Sequence, residues 1–469
     1  MRNELGQPLA SANVVVQGTR IAGLTDEDGR YVLMEVPLGA QTVVAALIGY
    51  GDATQQVDVA AEAVATADFE LTTQAVLLEG LVAVGYGQQQ RRTVTGSVAT
   101  INADRLTEMP TFNAIKAIQN RLPGVDVTNA GNKPGDGVSI RIRGVRSISA
   151  GNEPLYVVDG VPIASGCGPA TSMAAAASSC TGLGDFNPSD IASIDILKDA
   201  AATAIYGSRG ANGVVLVTTK GAATGGVATE FRASASYGGQ SPYGLPTLMN
   251  NDQYVAMLQD AAAYAGSSTE PEALLNNVAY QAYVDGQQTD WQELIKRTGR
   301  QQDFQLGMSG ISGNTRFNLS GNFFNQTGTA VGLEFTRTTG SASIDHVQGR
   351  LRLGVTANFA RSNQVVNGGD GLWGAARQQM GFGGSRDADG VLITNPDGDP
   401  LAYNPLKLVE GRVSENRRDR VFASAFANLN LADGIDLRVN FGPDYTATSA
   451  GNFTGADVQF GGASFRTAS

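Results

Sequence analysis

The sequence is poor in the residues that build most catalytic and metal sites. Its 469 residues contain two cysteines, Cys167 and Cys180, and one histidine, His346. Two thiols and one imidazole do not complete a four-ligand metal site, and a lone histidine leaves little scope for acid–base catalysis. No nucleophile elbow, P-loop or dinucleotide fingerprint is present. Asp26-x-Asp28-Gly29 lacks the rest of a calcium loop and reads as a hairpin turn. These absences point away from an enzyme and from a metal or cofactor. Charge is scarce as well, at 16% of residues, where about 25% is usual for a globular chain. The net charge is −11, an acidic balance that argues against nucleic acid, which needs a basic face. No apolar run approaches the roughly 20 residues of a spanning helix, so any membrane role falls to strands. The first residues lack an apolar h-region, and any export signal is expected upstream of Met1.

What the chain has in quantity is glycine, 59 residues, and alternation. Residues 1–74 carry short strands at sandwich spacing: Asn13 to Gly18, Arg30 to Val36, Gln41 to Ile48, Thr54 to Val59 and Thr66 to Leu71, with turns at Thr25–Gly29 and Pro37–Gly39. Residues 75–92 form an apolar linker that ends in Gln88-Gln-Gln-Arg-Arg92. Residues 93–222 mix helix and strand. Ile115, Ile118 and Leu122 mark an amphipathic helix over 112–122, stopped by Pro123-Gly124. Val138–Gly144, Pro154–Pro162, Ile194–Lys198 and Gly213–Lys220 read as strands. Asn187-Pro188 is a helix-start signal, and Asp199–Tyr206 a short helix closed by Gly207.

From about 228 to 469 the texture changes to long strands with one apolar and one polar face. Phe231, Ala233, Ala235 and Tyr237 alternate with Arg232, Ser234 and Ser236. Leu351, Leu353, Val355, Ala357 and Phe359 alternate with Arg350, Arg352, Gly354, Thr356 and Asn358. Ile435, Leu437, Val439 and Phe441 repeat the pattern. Strands of about ten residues facing lipid on one side and water on the other are the signature of a transmembrane barrel. The competing reading is a β-sandwich with one wet face. Roughly seven or eight such strands fit the stretch, whereas a plugged transporter barrel has about 22, and an open barrel edge cannot lie in lipid. The expectation is a truncated chain, the front part of a larger protein. The expected fold class is therefore mainly β: a small sandwich, an α+β domain and the first strands of an antiparallel transmembrane barrel.

Several segments resemble one family. Arg121-Leu-Pro-Gly-Val-Asp-Val127, Ile140-Arg-Ile-Arg-Gly-Val-Arg-Ser-Ile148, Pro154-Leu-Tyr-Val-Val-Asp-Gly-Val-Pro162 and Asn187 to Ala200 are similar to the plug of SusC/RagA-type TonB-dependent receptors. So are Ala204 to Val214, Val217 to Lys220, and Asp290-Trp291 at the first barrel segment. The opening Gly6 to Val14 resembles a carboxypeptidase-regulatory-like module with its first strand missing. The resemblance implies TonB-dependent import of a large nutrient, a glycan or peptide fragment, across the outer membrane. It implies TonB with its inner-membrane energising complex, a SusD-like lipoprotein and outer-membrane lipid as partners. The alternative is a surface β-protein, an adhesin or structural element, that transports nothing.

Three sets of residues are candidates for function. Leu77, Leu78, Glu79, Gly80, Leu81, Val82, Ala83 and Val84 are the expected TonB contact, by strand addition; Gly80 and Ala83 depart from the family's β-branched run. Arg141, Arg143, Arg146 and Arg209 are expected either to pair with acids on the inner barrel wall or to pair locally, with Asp159 or Asp199. Cys167 and Cys180 lie in an insertion of small residues from about Ser165 to Gly184. They suit either a loop-closing disulfide in an oxidising compartment or two unpaired thiols.

Overall fold

The structure is a computed structural model. It describes the chain apart from residues 4–5, 20, 48–49, 61–63, 72–80, 85–86, 91–97, 109–110, 112, 130, 148–150, 164–181, 222–228, 369–370, 433–434, 456–457, 461–462, 465–466 and 469. It leaves undescribed the side chains of 81–84, 87–90, 104, 459–460, 463–464 and 467–468. Cys167, Cys180 and residues 77–80 of the linker lie outside the described residues.

The first domain is a four-stranded antiparallel sheet in the order β2-β1-β3-β4, with β1 Asn13–Val16, β2 Ala22–Leu24, β3 Gly39–Ala46 and β4 Ala53–Val59. Val14, Val16, Val43 and Ala45 alternate inward onto Phe69 and Leu71. Arg2–Asn3 pairs in parallel with Glu70–Leu71, which closes the domain on itself. The strand expected over 30–36 does not form. Its residues pack on this core as irregular chain, and Glu35 takes a left-handed φ of 60° that breaks an extended run. Leu81–Val84 then pairs antiparallel with Gly87–Gln90 as a separate two-stranded hairpin.

The middle domain is built on a five-stranded sheet. Its strands are β5 Val98–Asn102, β8 Leu155–Val158, β9 Val161–Ile163, β10 Ile191–Leu197 and β11 Val214–Thr219, in the order β9-β8-β11-β10-β5. A side hairpin joins β6 Val125–Asn129 to β7 Val138–Ile142. Central strands read VVLV and IDIL because both faces are covered. Asp159 and Gly160, at φ 48° and 84°, make the two-residue turn between β8 and β9. The helix expected over 112–122 is one turn, Ala114–Ala117, capped by Asn113, whose side chain accepts from the Ile115 N–H. Asn120 at φ 60° ends the helical geometry before proline is reached. After Asp199 a helix at Ala200–Thr203 passes into a 3-10 segment, where Gly207 (φ 61°, ψ −144°) turns the chain.

The rest is one antiparallel sheet. Its long strands are β12 Glu230–Gln240, β13 Gly299–Ser312, β14 Thr315–Thr327, β15 Leu333–Gln348, β16 Leu351–Val366 and β17 Arg412–Ala432. β18 Ile435–Phe441 and β19 Asp444–Thr454 pair with opposite halves of β17 and act as one crossing interrupted at Gly442-Pro443. Its connections alternate in length: two residues at 313–314 and 349–350, but long stretches at 241–298 and 367–411. The long stretches fold into helices. Asn250 and Gln253 form a capping box that starts Asn251–Ala265, and Gly266 in the left-handed region ends it. Trp291, Ile295, Ala330, Leu372 and Ala376 share a core, so both long connections form one cap at one end of the sheet. The Trp291 indole N–H donates to Met380 O at 2.8 Å, and Asn276 donates to Asp397 O at 2.8 Å. No described helix is long and apolar enough to cross a membrane, which says nothing of strands.

A candidate interface between the middle domain and the inner face of the large sheet

Alternation gives the large sheet two unlike faces. On the outer face the cross-strand row Leu306, Gly321, Gly340, Phe359 and Val421 is continuous through five strands. Leu306 is 68% exposed, Val355 53% and Phe441 70%. Apolar side chains in this number facing away from a protein core call for an apolar solvent. The row Gln302, Asn325, Thr336, Asn363 and Arg417 follows two rows toward the cap and is polar. The belt therefore has an edge. On that edge Arg361 pairs with Asp419 at 2.6 Å.

The opposite face carries Asn318, Ser320, Arg337, Gln364, Arg420 and Ser424, and each meets the middle domain. Asn318 donates to Lys220 O at 2.9 Å, and the Ser320 hydroxyl donates to Asp190 at 2.6 Å. Arg337, 1% exposed, donates to Gly184 O at 2.8 Å. Arg420, 2% exposed, lies between two carboxylates: Asp185 at 3.2 Å and, with two nitrogens, Asp444 at 2.8 and 2.9 Å. Arg418 Nε lies 3.1 Å from the same Asp185 oxygen but is not aligned as a hydrogen bond, so it acts as an ion pair. Gln364 donates to Pro134 O at 2.8 Å and to Asp136 at 3.1 Å, nearer the cap. Ser424 reaches Asp159 O at 3.5 Å.

Packing follows the polar contacts. Phe422, a sheet residue, is fully buried in the core of the middle domain and meets Phe186 edge-on at 5.6 Å. Arg420 stacks over the same Phe186 ring, 5.1 Å from its centroid. Gly135 (φ 80°) lies so close to Phe335 that an added Cβ would come within 2.2 Å of the ring. Gly442 similarly makes room for Val161. Burial pushes the Asp190 carboxyl above the ordinary aspartate value, opposed by the Ser320 hydroxyl and the charges of Lys220 and Arg337. Burial also raises Asp159, opposed by the Thr219 hydroxyl at 2.6 Å and the Thr219 amide at 2.9 Å.

The arginines singled out in the sequence lie elsewhere. Arg143 forms an ion pair with Asp199, and Arg146 donates to Ala211 O, both within the middle domain. Arg141 and Arg209 are exposed. Arg141 lies close enough to Glu153 to oppose the rise that burial gives that carboxyl. Asp159 is taken by Thr219. The residues that join the two bodies, Asp185 and Arg337, Arg418 and Arg420, were not singled out. Their signal was available: Arg418 and Arg420 stand two apart on the polar face of a strand, where burial would demand acidic partners.

Comparison with known proteins agrees with this layout. Residues 90–214 match the TonB-dependent Receptor Plug Domain, and residues 1–83 match the CarboxypepD_reg-like domain. The chain is 33% identical to TonB-dependent receptor P3 of Formosa agariphila over 96% of its own length and 42% of that protein's. It is 31% identical to TonB-dependent receptor SusC of Bacteroides thetaiotaomicron over 80% of its own length and 35% of that protein's. The chain thus spans less than half the length of these curated relatives. Among solved structures it is similar to the RagAB peptide importer in its open-open state, with a TM-score of 0.66, 24% identity, and coverage of 80% of this chain and 43% of that one. That likeness is one of fold.

Proposed function

The chain belongs to the TonB-dependent receptors, of the SusC/RagA type, and on that footing we propose that it is part of an outer-membrane importer driven through TonB. The observation that carries the reading is the pairing of two faces on one sheet: an apolar belt outside and a polar wall inside, with the plug seated against the wall. A plug closes a wide lumen, and the outer membrane has no energy source of its own, so opening calls for a mechanical link to the inner membrane. The N-terminal linker supplies the handle. Residues 77–84 are the proposed TonB contact. Leu81–Val84 is extended and, among the described residues, pairs with Gly87–Gln90 alone, which leaves an edge of the kind strand addition uses. The cargo class is a glycan or peptide fragment. A SusD-like lipoprotein is the proposed partner at the cap, where Tyr243, Tyr264 and Leu401 are exposed.

The test is uptake in cells that carry the full-length protein, using fluorescently labelled mixtures of oligosaccharides and of peptides. Accumulation that stops on adding a proton uncoupler, and on deleting residues 77–84, is the expected result. Surface binding that neither treatment changes would favour the surface-protein alternative instead.

A further inference from the structure

We infer that the cap binds a calcium ion between Gln379 and Asp397, where its two long connections cross. The sequence supplies a tight polar turn, Asn395-Pro-Asp-Gly-Asp-Pro400. The Asn395 amide holds it by donating to Asp399 O and Ala402 O, each at 2.8 Å. The turn is pressed against the rest of the cap. Asn276, from the first connection, donates to Asp397 O at 2.8 Å. Pro396 O comes so close to Gly383 that an added Cβ would lie 2.2 Å from it. Asp397 is thereby sealed from solvent, at 0% exposure. Its Oδ1 accepts the Asp399 N–H at 3.1 Å, but its Oδ2 has no hydrogen-bond donor among the described residues. Beside it is Gln379, 5% exposed, with both amide atoms equally unbonded. The Gln379 amide lies near enough to favour the carboxylate yet is not aligned as a hydrogen bond.

Buried polar atoms left without partners are costly, and a carboxylate oxygen more so than an amide. No arginine or lysine answers Asp397 among the described residues. Arg386 is engaged by Gly390 O and Glu410, and Lys407 by Thr394. Burial holds the Asp397 carboxyl above its ordinary value, and the charge of Asp399 adds to the rise. A cation on Asp397 Oδ2 and Gln379 Oε1 satisfies both oxygens and offsets the repulsion between the two carboxylates. The donors are all oxygen, with no thiolate or imidazole, and such a set selects a hard cation. Magnesium keeps several waters and suits a sealed site less than calcium does. No group of three acidic, cysteine or histidine side chains that could hold a metal occurs among the described residues, so backbone carbonyls make up the rest of the shell. That low ligand charge sets a weak affinity, on the order of 0.1–1 mM, in the range of extracellular calcium modules. The setting agrees on the transport reading, where long connections lie outside the cell and two-residue turns face the periplasm. Neither residue is singled out by the sequence, because Gln379 and Asp397 meet only in the fold.

The experiment is hydrogen exchange on the full-length protein in detergent, first freed of calcium with a chelator and then given calcium or magnesium. Calcium at about ten times its dissociation constant is expected to slow exchange across 379–383 and 395–399 roughly tenfold, and magnesium to leave it unchanged. Exchange across Ile191–Leu197 in the plug stays the same throughout. Asp397→Asn abolishes the calcium response. Gln379→Glu, which adds a charged ligand, lowers the calcium concentration at half-response several-fold, and this variant decides the matter if Asp397→Asn fails to fold. A parent protein that ignores calcium, an equal response to magnesium, or a calcium response that neither variant changes would overturn the inference. So would slowing on acidification without a calcium response, which would show that Asp397 is simply protonated. The readout needs no cargo and no TonB, so failed uptake and failed calcium binding remain distinguishable.

Discussion

At the residue scale the decisive groups are buried charges, and their energetics differ sharply from those of exposed ones. Arg420 is enclosed by Asp185, Asp444 and Phe186. Arg420→Ala leaves buried carboxylates short of their counter-charge, which costs about 3–5 kcal/mol. Arg361→Ala removes an outward pair that is half exposed and costs at most ~1 kcal/mol. Denaturant unfolding of the detergent-solubilised protein separates the two, and an equal loss would mean that the inner cluster is not the tie described. Asp190 gives a pH signature. Burial holds its folded value above the unfolded value near 3.8, so the folded protein binds that proton more tightly. Its contribution to stability is fully present below the unfolded value and is lost as pH rises through the folded one. Asp190→Asn cannot titrate. The stability of the variant relative to the parent is therefore expected to rise as pH increases above the unfolded value, and a pH-independent difference would count against the burial described.

At the element scale the two faces of each strand and the close approaches between strand and plug carry the predictions. Val355 is on the outer belt and Thr356, its neighbour, faces inward. Val355→Arg places a charge on the lipid face at a cost of about 2–4 kcal/mol, whereas Thr356→Arg is tolerated much better. Folded yield, read from heat-modifiable gel mobility after insertion into vesicles, distinguishes them. The opposite ranking would assign the faces the other way round. Gly135 and Gly124 make a second matched pair. Both have positive φ, but only Gly135 lacks room for a Cβ, against Phe335. Gly124→Ala is expected to cost about 1–2 kcal/mol in backbone strain alone. Gly135→Ala adds a clash, typically another ~1–3 kcal/mol, and loosens the loop that Gln364 holds. Calorimetric melting of each variant reads the difference.

At the scale of the whole molecule, the first domain, the plug and the cap each have a core, and the plug is tied to the large sheet by polar contacts and by Phe422 inside the plug core. The cap has its own core around Trp291, which is 1% exposed. Trp291→Ala removes that centre at a local cost of about 3–5 kcal/mol. Hydrogen exchange is expected to speed up across Leu372–Gln378 in the cap and stay unchanged across Ile191–Leu197 in the plug. Parallel acceleration in both would mean that cap and plug form one cooperative unit rather than two. The arrangement suits the proposed function. Among the described residues the plug meets the wall through side chains rather than through backbone ladders.

Much of this architecture is legible in the residues alone. Period-two alternation from 231 onward determines that each strand has a wet and an apolar face, because successive side chains point to opposite sides. The turn residues mark most strand ends, and motifs such as Pro154–Pro162 and Asn187–Ala200 carry the family. Local pattern fails where a segment's conformation depends on distant partners. Residues 30–36 alternate like a strand yet pack as irregular chain, and the 112–122 pattern shrinks to one turn because Asn120 reverses the backbone. The long connections gave no sign of a folded cap, since Trp291 and Ala376 are far apart in sequence and meet only in the core they share. The interface was the least legible part. A sequence shows that Arg143 and Arg420 are both charged, but not that one settles on Asp199 in its own domain while the other is sealed between Asp185 and Asp444. Which charges lose their water is decided by how the plug seats against the wall, and burial is what makes a charge demand a partner.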